Sequence, residues 1–399
     1  AWLSDTDTTN VVGTELVTNG TFDTDLTGWT DSSTGTGTAT VVSGQASIYR
    51  ANVSNRGQIT QAHTLISGET YLLSFEIISG TLQVSYAGGS GTLSQYFNGE
   101  NWNVAGAGNH QTTFVATGTA GNISFMGIDD NVTSVFDNVT VKLADQDRSV
   151  NNNGLQVNGT ITKTAVATGA DLVAYSGFSA SNYLEQPYNA DLDFGTGDFS
   201  ISCWVNPADT TPNDAEMIYD FNGDDRFYIY TNGTMALEIN NTAIVSTATI
   251  PTGWSLITVC RRNGVGYIYL NGEQIASGAA PYTMAAFTKM TIGVSVSNAF
   301  PCNTTSLALF RISATAPTAA QILEIYNAEK PMFTENANVT LHGTSDAVTA
   351  LSFDDSNEEL VVATSGGLSV FKGLIRVDEE DGNFTEVSQQ GGMRITEKA

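Results

Sequence analysis

The chain has 399 residues, 41% hydrophobic and only 14% charged, with 39 glycines. That is enough to bury two or three cores, in the turn-rich, helix-poor balance of an all-β protein. Fifteen Lys and Arg face 41 Asp and Glu, a formal charge of −26; with no basic cluster to neutralise phosphates, no nucleic-acid or anionic-membrane partner is expected.

Surplus carboxylates suit solubility or divalent cations. No apolar run reaches the ~18 residues of a membrane span, so membrane insertion is not expected. Three cysteines, Cys203, Cys260 and Cys302, are too few and odd in number for a disulfide framework. Cys203 and Cys260 fall in predicted strands and read as buried thiols. No signal peptide is visible, and the opening on Ala1 in mid-pattern reads as a processed chain or a piece of a longer polypeptide. Sequons, for example at Asn19, Asn138 and Asn303, match what chance gives in a chain this rich in Asn and Thr.

In chain order, residues 1–14 read as a polar linker or arm. Residues 15–143 form a first domain of short strands ("ASIYRA", "TYLLSFEII", "TLQVSYAG", "NISFMGI") separated by turns at sandwich spacing. Residues 144–168 read as a polar connector, with a short apolar alternation at Leu155, Val157 and Ile161 that leaves small strand pairing open.

Residues 169–330 form the second domain. In the run 199–205, Phe199, Ile201, Cys203 and Val205 share one strand face, and Ser200, Ser202 and Trp204 the other. Residues 265–272 alternate likewise and end in an Asn-Gly turn. The domain closes on the one clear helix, "APTAAQILEIYNAEK", with Thr318 as N-cap, Gln321 completing a capping box, and an apolar stripe of Ile322, Ile325 and Tyr326. Residues 331–399 hold a few strands with an acidic turn, Asp354 to Glu359, in the pattern of a single propeller blade. One blade leaves open edges, so completion by other chains, or by sequence outside this stretch, is expected. The tail "EVSQQGGMRITEKA" reads as polar and Gly-broken. The fold class is therefore all-β: two tandem jelly-roll sandwiches plus a small C-terminal β region, with one helix before it.

The opening "NGTFD" and closing "FDNV" of residues 15–143 resemble the β-jelly-rolls of carbohydrate-binding modules. In the second domain "GDFSISCWVNP", "TGWSLITVCRRNGVGYIYLNGEQIASG" and "LALFRIS" resemble laminin-G-like, concanavalin A-like jelly rolls. The module resemblance implies a structural Ca²⁺ tying the start of the domain to its last strand. The matching acids here are Asp23 and Asp137, where the modules usually carry a longer acid at the first position. Turn-capping aspartates are the other reading. In "YDFNGDDRF", Asp220, Asp224 and Asp225 either share an ion or form an acidic hairpin turn.

A sugar site needs an aromatic face with amides and carboxylates around it. The loop "SQYFNGENWN" supplies Tyr96, Asn98, Glu100, Asn101 and Trp102, with Tyr49 and Tyr86 joining from strands. Tyr228, Tyr230, Tyr267 and Tyr269 alternate opposite core residues and should face away from the second core, as sugar contacts or interface anchors. No strand in residues 170–315 shows the paired acids of a glycosidase. The histidines, His63, His110 and His342, are far apart, and no nucleophile elbow or phosphate loop appears, so no enzyme is expected.

The tandem order, with "FRISATAPTAAQI", "IYNAEKPMF" and "TSDAVTALSFDD" following, resembles structural proteins of marine bacterial viruses. That resemblance implies a non-enzymatic tail-fibre or virion-decorating protein, extracellular on the virion surface. It would be a homotrimer that meets host-surface glycans and other virion proteins. A purely structural capsid or tail component, a secreted bacterial adhesin or enzyme appendage, and a polysaccharide depolymerase are the alternatives.

Overall fold

The computed structural model describes residues 2–3, 11–67, 69–88, 102–116, 118–145, 154–343 and 347–398. Strand dominates, and among the described residues Ala319–Glu329 is the one α-helix.

The first sandwich is two antiparallel sheets closed on an aromatic core. One sheet runs Trp102–Ala105, Thr81–Gly88, Ala120–Gly127, Gln58–Thr64, Thr30–Asp31. The other runs Thr38–Val42, Gln45–Asn52, Val132–Asp145, Thr70–Ser79, Gly108–Val115. Phe22, Trp29, Phe75, Phe125 and Phe136 fill the space between them. Phe22 meets Phe136 edge-on at 5.6 Å, and Phe125 stacks on Phe136 at 4.6 Å. The opening and closing motifs thus meet in space, and the backbone zips them: Val139 N donates to Gly20 O, and Leu16 N to Val141 O. The sequon residues Asn19 and Asn138 sit at φ 54° and 56°, left-handed turn positions that Asn tolerates.

The connector expected at 144–168 carries a strand instead. Leu155–Ala165 pairs first with Tyr183–Pro187 in one sheet of the second sandwich, then with Val173–Ser176 in the other. The switch falls at Gly159, φ +64°, where a Cβ would strike Asn182 Oδ1, so the bend needs glycine. Leu155, Val157 and Ile161 belong to the second core. The N-terminal arm lies on the same sandwich: Trp2–Leu3 pairs with Thr305–Ser313, and Val11–Gly13 with Leu155–Ala165. The first sandwich is therefore an insertion between strands of the second.

The second sandwich has one sheet running Leu155–Ala165, Tyr183–Pro187, Lys289–Ile292, Glu216–Asp220, Arg226–Ile229, Thr234–Ile239, Thr242–Thr249. Its facing sheet runs Val173–Ser176, Thr305–Ser313, Phe199–Pro207, Ser255–Arg262, Val265–Leu270, Glu273–Ala279. Phe199, Ile201, Cys203 and Val205 point into the core between them, and Trp204 points the other way, as the alternation predicts. Polar contacts join the sandwiches: Lys142 Nζ to Asn158 Oδ1 at 2.7 Å and Gln156 Nε2 to Thr140 Oγ1 at 2.9 Å.

The capping box at Thr318 and Gln321 is present. The helix lies on the outer face of the second sheet, with Ile322 against Tyr269 and Cys260, and Ile325 and Tyr326 beside Trp204. The C-terminal region is a four-stranded meander, Val348–Asp354, Glu359–Thr364, Gly367–Lys372, Ile375–Asp381. The tail read as Gly-broken forms a hairpin, Phe384–Gln390 with Met393–Lys398, because Gly391 and Gly392 supply positive φ at its turn.

Candidate functional site

The aromatic set expected in the first sandwich does not assemble. Tyr86 is 2% exposed, its ring tilted against Phe114 at 4.2 Å, with its hydroxyl 3.0 Å from His63 Nδ1. It is a core residue and offers no face to a sugar. Tyr49 is half-buried on the other sheet, opposite Ile48. The backbone of Trp102 pairs with Val84 at a sheet edge. Tyr96, Asn98, Glu100 and Asn101 lie outside the described residues, as does the side chain of Trp102.

Of the two candidate calcium acids, Asp137 lies within reach of the charge of Asp23. Asp137 sits directly across the ladder from Glu76, and its pKa is raised by burial and by the charges of Glu76 and Asp23. Asn138 answers part of this: its amide donates to Glu76 Oε2 at 3.0 Å, and its N–H to Asp137 Oδ1. Among the described residues no three His, Cys, Asp or Glu side chains converge as a metal cage. The cluster supplies negative charge without a ligand shell of side chains. Glu76 went unread in the sequence, although alternation along "YLLSFEII" puts it opposite the core residues Phe75 and Ile77.

The acidic turn at 219–227 is a staple. Asp220 accepts from the N–H groups of Asn222, Gly223 and Val296. Asp225 accepts from Asn240 N, Ala285 N and Asn222 Nδ2. Both carboxylates are buried and every oxygen has a donor, so these two aspartates tie a satisfied hairpin turn. Two further buried acids of this sandwich are committed too. Glu216 accepts from Thr304 N and Thr305 Oγ1, and Glu329 pairs with Arg311 and Trp204.

The four tyrosines face away from the second core, and then diverge. Tyr267 and Tyr269 lie on the helix side, Tyr269 buried under Ile322. Tyr228 and Tyr230 lie on the outer face of the opposite sheet, where the strand register brings Arg226 opposite Glu238. Arg226 Nε binds Glu238 Oε2 at 2.5 Å, and the Tyr228 hydroxyl reaches Glu238 Oε1 at 2.7 Å. One hydroxyl carries one proton and the carboxylate only accepts, so the Tyr230 hydroxyl donates to Tyr228 across their 2.9 Å separation. Burial, then the bonds to Tyr230 and Glu238, push the Tyr228 pKa far up. The result is a locked phenol–carboxylate–guanidinium row, with the half-buried Tyr230 ring edge-on to Tyr228 at 4.8 Å. The amino groups of Arg226 have no other hydrogen-bond partner among the described residues. Farther along the same face, Lys289 binds Glu185 at 3.0 Å and lies over the Tyr183 ring. Arg226 and Glu238 were missed in the sequence, yet alternation in "RFYIY" and "MALEI" places both on this face.

Residues 178–323 match the family model of the concanavalin A-like lectin/glucanases superfamily, Laminin_G_3. The receptor binding domain of botulinum neurotoxin C/D mosaic serotype is similar at 13% identity and TM-score 0.38, over 58% of this chain and 59% of that one. The binding domain of Paraclostridial Mosquitocidal Protein 1 gives 13%, 0.40, 63% and 70%. The botulinum neurotoxin serotype D ligand binding domain in complex with N-acetylneuraminic acid gives 14%, 0.38, 64% and 65%. The chain thus spans 59% of the length of the first of these, and likeness at this level transfers no ligand. Against curated protein sequences the chain has no match.

Proposed function

We propose that this chain is a non-enzymatic glycan-binding protein of a virion surface, a tail fibre or decoration protein that meets host-surface glycans. The observation that carries the binding half is the outer-face row of Tyr230, Tyr228, Glu238 and Arg226. An aromatic face beside a fixed guanidinium is what a sugar ring and its hydroxyls require. The buried carboxylates speak for binding over cleavage. Asp220, Asp225, Glu216, Glu238 and Glu329 each hold protein donors, whereas glycoside hydrolysis needs two acids free to act across a cleft. The virion setting rests on the resemblance of the C-terminal run, and the homotrimer on the same ground.

Incubation of the full chain with host-envelope polysaccharide tests both halves. Retention of polysaccharide without release of reducing ends is expected. Reducing ends appearing with time would refute the non-enzymatic reading, and absence of retention the glycan reading. Immunolabelling of virions locates the protein; labelling confined to the host envelope would refute the virion setting.

A further inference from the structure

The seam between the two sandwiches sets an amine against a carboxamide. Lys142 lies on the last strand of the first sandwich, and Asn158 on the strand that opens the second core. Lys142 Nζ is 2.7 Å from Asn158 Oδ1, the one hydrogen bond of this amine among the described residues. Strand pairing holds the two segments in place: Ala144 lies opposite Gln156, and Gln156 Nε2 donates to Thr140 Oγ1 at 2.9 Å. Leu72, directly cross-strand to Lys142, is fully buried and gives the seam an apolar neighbour.

The other end of the carboxamide is unheld. Asn158 Nδ2 is buried and has no hydrogen-bond partner among the described residues. Turning the amide over would not relieve it, because Nδ2 would then meet the Lys142 amine donor to donor. A buried donor without an acceptor is costly. Asn158 therefore turns its carbonyl to a potential nucleophile and carries an amino group that no protein acceptor retains.

A carboxyl group completes the set. Residues 13–16 cross from one strand to the other. Gly13 pairs with Gly159, the neighbour of Asn158, so closely that a Cβ would strike the Val157 carbonyl. Leu16 N donates to the carbonyl of Val141, the neighbour of Lys142. Between these anchors, Glu15 Oε1 accepts from Val141 N and Val17 N, both at 2.9 Å. Part of Glu15 is exposed, yet desolvation of the carboxyl raises its pKa, against the pull of those N–H groups and of the Lys142 charge. A group able to take and return a proton thus stands beside the amine.

We propose that Lys142 and Asn158 condense to an amide cross-link between the two sandwiches, with Glu15 relaying the proton. The neutral Lys142 amine attacks Asn158 Cγ. The Nζ–Cγ bond forms, the Cγ–Nδ2 bond breaks, and Nδ2 leaves as ammonia with the proton that Nζ gives up. The proton of a starting ammonium departs with it, as ammonium. No oxidant and no second reactant enters. The link removes the unpaired donor and ties the inserted sandwich to its host. It goes beyond the glycan reading and does not need it.

The intact mass of the purified, denatured chain tests this, followed by peptide mapping. The chain is expected to be lighter than its sequence by one ammonia, and digestion to yield a branched peptide joining the segments around Lys142 and Asn158. Lys142→Arg and Asn158→Ala should each keep the full mass. Asn158 precedes Gly159, and cyclisation onto the Gly159 nitrogen would also release ammonia, so the branched peptide decides. It is read on the wild type and holds even where a variant fails to fold. Glu15→Gln should keep the full mass while still melting cooperatively; linkage as complete as in the wild type would overturn the part given to Glu15. A wild type at full mass, or ammonia loss that persists in Lys142→Arg without a branched peptide in the wild type, would overturn the cross-link.

Discussion

The indole N–H of Trp204 donates to Glu329 Oε2 at 2.7 Å, joining the central strand of the second sandwich to the last turn of its helix. Glu329 also takes both amino groups of Arg311, and Trp204 stacks on Phe333 at 4.2 Å. Removing the carboxylate strands a buried indole N–H and takes an ion pair from Arg311. Glu329→Ala should therefore cost about 3 kcal/mol in denaturant unfolding. Glu329→Gln, which keeps an acceptor, should cost less than the alanine variant.

The helix depends on its first turn as well. Thr318 Oγ1 accepts from Gln321 N, and Gln321 Oε1 accepts from Thr318 N. Thr318→Ala should lower stability by about 1 kcal/mol. Because Ile322 covers Cys260, the same variant should speed the reaction of Cys260 with a thiol reagent. An unchanged rate would mean that the helix does not gate access.

His63 gives the first sandwich an acid limit. Gln61 donates through Nε2 to Thr18 O and Gly28 O, which fixes its Oε1 as acceptor. His63 Nε2 then donates to that oxygen, and Nδ1 accepts from the Tyr86 hydroxyl. Burial of this neutral ring holds its pKa down to about 4. Below the unfolded value near 6.5 the unfolded chain takes a proton that the folded chain refuses. Stability is thus intact above pH 6.5 and falls as pH drops through the window to 4, by up to about 3 kcal/mol. Unfolding midpoints of wild type and His63→Gln against pH should diverge across this window; parallel curves would refute it.

Asp137 has the opposite sign. Its pKa is raised by burial, with Glu76 and Asp23 adding to the effect, so the ionised form is a penalty that disappears as pH falls through the folded pKa. Asp137→Asn should leave stability at pH 7 equal or higher when no divalent cation is present. If Ca²⁺ binds there, millimolar Ca²⁺ should raise the melting temperature of wild type more than that of the variant. Equal responses would remove the cation.

Periodicity made most of the scaffold legible. The alternation through Phe199, Ile201, Cys203 and Val205 and the Thr318 capping box are local patterns, and the folded chain keeps them. At Leu155–Ala165 the alternation of Leu155, Val157 and Ile161 marks a strand, but Gly159, where the chain changes sheets, leaves it without an apolar side chain at mid-run. Site residues were harder. Strand parity places Tyr228, Tyr230, Tyr267 and Tyr269 off the core, but only tertiary packing decides that the helix covers Tyr269 and leaves Tyr230 half-exposed. Tyr86 was misjudged for a related reason. It shares a face with Leu82 and Val84, and its hydroxyl finds His63 inside the core, so a polar tip was no sign of exposure.

The central claim is that the outer face of the second sandwich grips sugar through Tyr230 and Arg226. The most direct test is equilibrium binding of host-envelope polysaccharide to wild type, Tyr230→Ala and Arg226→Ala under one condition. Wild type should bind, and each substitution should weaken binding at least about tenfold, the 1.4 kcal/mol that one lost aromatic or charged contact represents. Undiminished affinity in both variants, with their folds intact, would contradict it.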